Sequence, residues 1–234
     1  PVEYQAVFSM LEGIESIAGG AFYDCAGLTS IEIPDSVNKI GARAFEDCKN
    51  LKTIEIPENV TEIGWEAFKG CANLLNQPIF NKHVFAHLPC SFQGGYSIPD
   101  GIESIAGGAF ERCISLTSIK IPDSLNEIGR FAFRGCTCLS KHPIFNSHVF
   151  VYLPCSFQGE YSIPDGIESI ASGAFYDCIG LTSVKIPDSV TKFEKRAFDG
   201  CVDLLKQPIF NRHVFAHLPV EYQGEYSIPD GIEC

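Results

Sequence analysis

The sequence predicts a right-handed solenoid of the α/β repeat class. One parallel strand per rung, short helical segments on the convex side and β-hairpin insertions make up the expected unit. Three recurrences predict it. Cys25, Cys48, Cys71, Cys113, Cys136, Cys178 and Cys201 are separated by 23, 23, 42, 23, 42 and 23 residues. The same spacing relates Phe22, Phe45, Phe68, Phe110, Phe133, Phe175 and Phe198, each preceded by alanine. The same two interval lengths recur in Ile-Pro pairs ending at Pro34, Pro57, Pro99, Pro122, Pro164, Pro187 and Pro229. A fixed period of this length marks an array in which each unit buries its apolar face only against its neighbours.

The 234 residues therefore read as a single array over 1–234, built of 23-residue units, some lengthened to 42 by a 19-residue insertion. The sum of 65 is a larger period that relates His83, His148 and His213. PVEYQ stands at residue 1 and again at residue 219, so both ends are expected to lie inside a repeat.

Within a unit, Leu28, Ile31 and Ile33 follow an L-x-x-I-x-I spacing with Glu32 between the isoleucines, the alternation of a strand. Proline then ends the strand because it cannot donate to a ladder. Asp-Ser or Asp-Gly follows, which is turn chemistry. Val37, Ile40, Ala44, Phe45 and Cys48 come next, spaced by three and four as on a short helix. Parallel strands joined this way are expected to coil to the right. The insertion, Pro78-Ile79-Phe80 through Leu88, reads as a hairpin turning at Asn81-Lys82. On its second strand Val84, Ala86 and Leu88 are expected on one face, with His83, Phe85 and His87 on the other.

Composition narrows the function. Lys plus Arg is 17 against 29 Asp plus Glu, a net charge of -12, which disfavours binding to nucleic acid. No run approaches about 18 apolar residues, the length of a membrane span. No leader is visible at Pro1, and the 11 cysteines are too few for a disulfide-built scaffold.

The cysteine column reads as small buried hydrophobes, one per rung. Cys90 and Cys155 stand outside it and correspond to Val220, a position that does not require a thiol. Cys136 and Cys138 form a C-x-C without a second sulfur pair at zinc spacing. HVFAH lacks the glutamate of a zinc-protease helix, and His87 becomes Tyr152 in the next copy. Glu12, Asp35, Glu58, Asp100, Asp123, Asp165, Asp188 and Asp230 share one position after the strand proline. They read as turn residues, with a weak divalent-cation strip as the alternative. Glu32, Glu55, Ser97, Lys120, Ser162, Lys185 and Ser227 point outward from the strands and are expected to line the inner face. Their charge passes from acidic to basic, and a protein partner would feel that gradient. Phe85, Phe150 and Phe215, with Tyr152, are the hairpin aromatics expected to offer repeated contacts. No metal site, nucleophile elbow, phosphate loop or dinucleotide fingerprint appears, so no cofactor and no catalysis are expected.

The unit L-T-S-I-x-I-P-D-S-V-x-x-I-G-x-x-A-F-x-x-C, which residues 28–48 and 116–136 follow with local departures, resembles the BspA-type leucine-rich repeat. So does the hairpin-bearing variant ending in Y-S-I-P-D-G-I. Departures are local: Leu11 replaces a proline, Glu194 a glycine, and Cys234 a serine. The resemblance implies a curved leucine-rich-repeat solenoid, in secreted or cell-surface proteins of bacteria and some protists that adhere to host or neighbouring-cell proteins. The leading expectation is a non-catalytic interaction module binding extracellular or host proteins, without nucleic acid or membrane insertion. The second is a carbohydrate-binding or carbohydrate-active solenoid with a calcium-holding acidic column. A coil free of helix would reverse that preference.

Overall fold

The L-x-x-I-x-I segments form the expected parallel strands. This computed structural model describes residues 6–74, 77–139, 142–206 and 208–217, in two units that meet at residues 138 and 139. In the first unit Ala6–Ser9, Leu28–Glu32 and Thr53–Ile54 make one parallel sheet, and Gly94–Ser97 pairs with Leu116–Lys120. In the second, Gly159–Ser162 pairs with Leu181–Lys185. Leu28, Ile31 and Leu51 are buried and Glu32 and Glu55 exposed, as alternation requires. Proline then opens a tight turn: the Val37 N–H donates to the Pro34 carbonyl, and that of Val60 to Pro57, each at 3.0 Å. The PVEYQ segments, Val220, Ser227, Pro229, Asp230 and Cys234 lie outside the described residues.

The segments expected to be helical are not. Among the described residues the one helical stretch is a 3-10 turn at Leu204–Lys206. Instead the V-x-x-I portion adds a second short parallel sheet, Ser16–Ile17, Lys39–Ile40 and Glu62–Ile63, repeated at Ser104–Ile105 with Glu127–Ile128 and at Ser169–Ile170 with Lys192–Phe193. The A-F-x-x-C portion is a staircase of turns whose N–H groups alternate in direction. Ala44, Glu46 and Cys48 donate back to Gly41, Arg43 and Phe45 of their own rung, whereas Arg43, Phe45 and Asp47 donate to Trp65, Ala67 and Lys69 of the next. A left-handed residue recurs four positions apart, Gly20 with Asp24, Arg43 with Asp47, Gly108 with Arg112. A helix has no room for that conformation. The fold class is thus an all-β parallel solenoid, and the three-and-four spacing records turns that return side chains to the core.

The core is a stack of like residues. Phe22, Phe45 and Phe68 lie face to face at 5.1 and 5.4 Å, and Phe175 lies on Phe198 at 5.0 Å. Beside them the Cys48 thiol donates to the Phe22 carbonyl at 3.0 Å and the Cys71 thiol to Phe45 at 3.0 Å. That carbonyl also accepts the N–H of the cysteine on its own rung, as Phe22 does from Cys25 at 3.1 Å.

The hairpins are present: Ile79–Phe80 pairs antiparallel with Val84–His87, Ile144–Phe145 with Val149–Tyr152, and Ile209–Phe210 with Phe215–His217. The hairpin is not an appendage, however. Its return strand also pairs in parallel with the following rung, Val84 with Ser104 and Phe85 with Ile105. A 42-residue unit is therefore two rungs, a short one and a full one. Buried Asn81 fastens the short rung. Its side-chain amide donates to the Pro57 and Val60 carbonyls at 2.8 Å each, and its oxygen accepts from the His83 and Val84 N–H groups at 2.9 and 2.8 Å. Asn211 repeats this toward Pro187 and Val190. On the turn side the short rung is bypassed, and the Glu66 N–H reaches the Gly107 carbonyl directly at 3.0 Å.

The glycine after the second-sheet isoleucine allows successive backbones to touch. A Cβ on Gly64 would lie 2.2 Å from the Ala42 nitrogen, and one on Gly129 2.2 Å from that of Gly107. Where the rung before is a short one, the equivalent residue is Ala106 or Ala171. Gly64→Ala is accordingly expected to lower stability by about 2 kcal/mol or more through steric pressure alone. Urea unfolding would show it, and an unchanged midpoint would contradict the close approach.

Candidate interaction surfaces

The hairpin places its aromatics differently from the alternation read in the sequence. Val84, Phe85, Ala86 and Leu88 are all buried, because the return strand is covered on both faces. Phe85 is 0% exposed and stacks on Phe110 at 4.8 Å, while Phe150, also 0% exposed, stacks on Phe175 at 5.0 Å. Both are members of the phenylalanine column and cannot serve as surface contacts. Tyr152 is buried with them, and Phe215 is half-buried. The exposed aromatics sit on the first hairpin strand instead. Phe80, Phe145 and Phe210 are 41%, 43% and 39% exposed and recur every 65 residues. Each leans on its return-strand partner, at 6.0 Å for Phe80 on Phe85, 6.2 Å for Phe145 on Phe150 and 6.0 Å for Phe210 on Phe215. A P-I-F-N signature ahead of a buried asparagine was the available signal, but alternation alone does not say which strand joins the ladder.

The outward strand residues do form lines. Ser9 is in register with Glu32, Ser97 with Lys120, and Ser162 with Lys185, and all of Glu32, Glu55, Lys120 and Lys185 are exposed. The Ser9 hydroxyl donates to Glu32 at 2.9 Å. Glu32, Asp35, Glu55 and Glu58 border a shallow concavity of about 610 Å³ across two rungs. The carboxylates after the proline remain one per rung; Glu58, for example, faces Lys82 at 3.8 Å. Among the described residues no three Asp, Glu, His or Cys side chains converge as a ligand set.

From Cys48 to Cys201 the cysteine column is buried as expected, while Cys25 is half-buried, and the column has a role in hydrogen bonding that spacing did not reveal. Burial pushes the thiols up, Cys48 to about 11 and Cys71, Cys113 and Cys136 to about 12, so each keeps the proton it donates. Cys90, Cys138 and Cys155 are exposed. A maleimide at neutral pH should modify these three in the folded chain and reach Cys48, Cys71, Cys113, Cys136, Cys178 and Cys201 only after unfolding, as peptide mass spectrometry would register. Equal labelling of both sets would contradict the column.

The two histidines of HVFAH are likewise separated in role. His83 Nδ1 lies 3.5 Å from Glu103, whereas burial holds His87 down at about 4. His87 is thus neutral when folded. The unfolded chain gains that proton below about pH 6.5, and the folded chain only below about pH 4. Stability from this residue is therefore complete above about pH 6.5 and falls by up to about 3 kcal/mol on acidification to about pH 4. His87→Tyr, the residue of the middle copy, should remove that component. Urea melts of both chains at either end of the window test it, and parallel losses would refute it.

A profile described as the BspA type leucine-rich repeat region matches residues 6–86 and 79–205, in six copies. No curated protein matches the chain. Among solved structures, a leucine-rich cell surface protein of Faecalibacterium prausnitzii is 32% identical with a TM-score of 0.54. The match covers 85% of this chain but 58% of that one. A leucine-rich repeat protein of T. pallidum is 26% identical over 86% of this chain and 78% of its own, with a TM-score of 0.41. One from Bacteroides ovatus is 22% identical over 85% and 73%, with a TM-score of 0.44. With the repeat profile spanning most of its length on a parallel-strand solenoid, the chain belongs to the BspA-type leucine-rich repeat family.

Proposed function

We propose that the chain is a non-catalytic protein-interaction module of a secreted or cell-surface protein, binding extracellular or host proteins through its repeated surface. The observation that carries this reading is the recurrence of exposed Phe80, Phe145 and Phe210 at the 65-residue period. An exposed phenylalanine resting on a buried or half-buried ring has little rotamer freedom left to lose on binding. Repetition converts weak single contacts into avidity. The inner-face charges Glu32, Glu55, Lys120 and Lys185 would add orientation and association rate more than affinity. The family match and the cell-surface relative support this choice over the carbohydrate reading. The missing helix does not reverse it, since left-handed turns close these rungs while the repeat signature is retained.

The test is a biolayer screen against purified extracellular-matrix and plasma proteins, with a glycan array alongside. Changing Phe80, Phe145 and Phe210 together to serine should weaken any protein contact at least about tenfold while leaving the melting temperature nearly unchanged. Phe85→Ala, by contrast, should cost about 3–5 kcal/mol of stability. Glycan binding without protein binding, or full binding by the triple variant, would defeat the proposal.

A further inference from the structure

One region of the first unit departs from the repeat. Trp65, the chain's single tryptophan, stands where the neighbouring rungs have Ala42 and Gly107. The Arg43 guanidinium lies over its ring at 4.5 Å and that of Arg130 at 5.8 Å. Arg130 also covers Phe131 at 4.3 Å, and Arg134 approaches the same ring at 5.3 Å. The result is an alternating run, Arg43, Trp65, Arg130, Phe131, Arg134, across four full rungs on the turn side, the rung between Trp65 and Arg130 contributing Gly107. The bypass of the short rung brings the middle two together, with Trp65 packed against Gly107.

The charges in this region are layered. Glu46 and Glu66 are buried, Arg43 Nε lies 3.3 Å from a carboxylate oxygen of each, and Lys69 Nζ lies 2.6 Å from Glu66. Glu111 lies beneath Arg134 in the same way, at 3.9 Å. Carboxylates therefore sit below, and Arg43, Lys69 and Arg134 form the exposed layer, so solvent meets a cationic, aromatic island on a chain of net charge -12. Two donors within the run, Trp65 Nε1 and Arg130 Nε, have no acceptor. The backbone adds a third sign. Arg43, Glu66 and Phe131 are left-handed at positions where the sister rungs use Gly20, Gly108 and Gly173. Side chains are kept here on a conformation that glycine adopts more easily.

We propose that this island is a docking site for a carboxylate-rich segment of another protein. Arg43 and Arg130 turn Nε inward, so the terminal N–H groups of each guanidinium are the donors that a carboxylate would accept. Trp and Arg are also the side chains that dominate protein contacts. Repulsion from the surrounding acidic surface would confine such a segment to the island. The site is independent of the hairpin phenylalanines.

Trp65 is its own reporter. Its emission should respond saturably to an octaglutamate peptide and not to octalysine, and the affinity should fall between about 50 and about 300 mM salt. Arg43→Gln with Arg130→Gln should weaken octaglutamate binding more than about tenfold. Because Arg43 also faces buried carboxylates, Arg43→Lys with Arg130→Lys serves as the fold-preserving companion. It retains charge, loses the planar fork, and is expected to bind several-fold more weakly with an unchanged circular dichroism spectrum. Changing Phe80, Phe145 and Phe210 to serine should leave this titration unaltered. An unresponsive Trp65 or full binding by a folded Lys variant would overturn the proposal. So would tighter binding of a sulfated oligosaccharide than of the peptide, or self-association of the chain abolished by the glutamine variant.

Discussion

Contact between equivalent positions on neighbouring rungs governs everything else in this protein. A backbone N–H in the turn region has two calls on it, the carbonyl three residues back and the carbonyl one rung away. The chain satisfies both by alternating them, as from Arg43 to Cys48. Once that alternation is set, side chains at one position must lie above one another. Phe22, Phe45 and Phe68 then have little option but to stack. The buried cysteines fit the same rule, each donating to a carbonyl that the repeat brings within reach. Stability here is a sum of near-identical interfaces rather than the property of one centre.

Much of the fold could be read directly from spacing. Strand, proline turn and hairpin each have a local chemical cause, and each appears where its residues stand. The helix did not, because apolar positions three and four apart describe any backbone that returns side chains at that interval. Left-handed Arg43, Glu66 and Phe131 are unremarkable in a sequence, yet they are what exclude a helix. The hairpin misled for a related reason. Alternation identifies two faces of a strand but not whether both are covered, and Phe85 lies in a strand enclosed on each side. Glu32, Glu55, Lys120 and Lys185 were assigned correctly as exposed, since a strand edged by water needs only one polar face.

Surface chemistry in such an array divides into two kinds. Some features recur because the unit recurs, as with Phe80, Phe145 and Phe210. Others exist only where a rung departs from its sisters, as around Trp65. The first kind favours breadth of contact, and the second, being singular, can discriminate. Both are carried on ordered rungs of their own unit, and neither requires a loop to fold on binding.

The asparagine clasp bears on how such a chain changes over evolutionary time. Asn81 grips the Pro57–Val60 turn as Asn211 grips the Pro187–Val190 turn, so a cassette presents at its exit the seat it used at its entry. Unequal recombination that adds or deletes one whole cassette would join surfaces already fitted to each other. Length is then free to drift in steps of 65 residues, or of one 23-residue rung, without a new junction having to be invented, because either step leaves a Pro-x-x-Val turn beneath the asparagine.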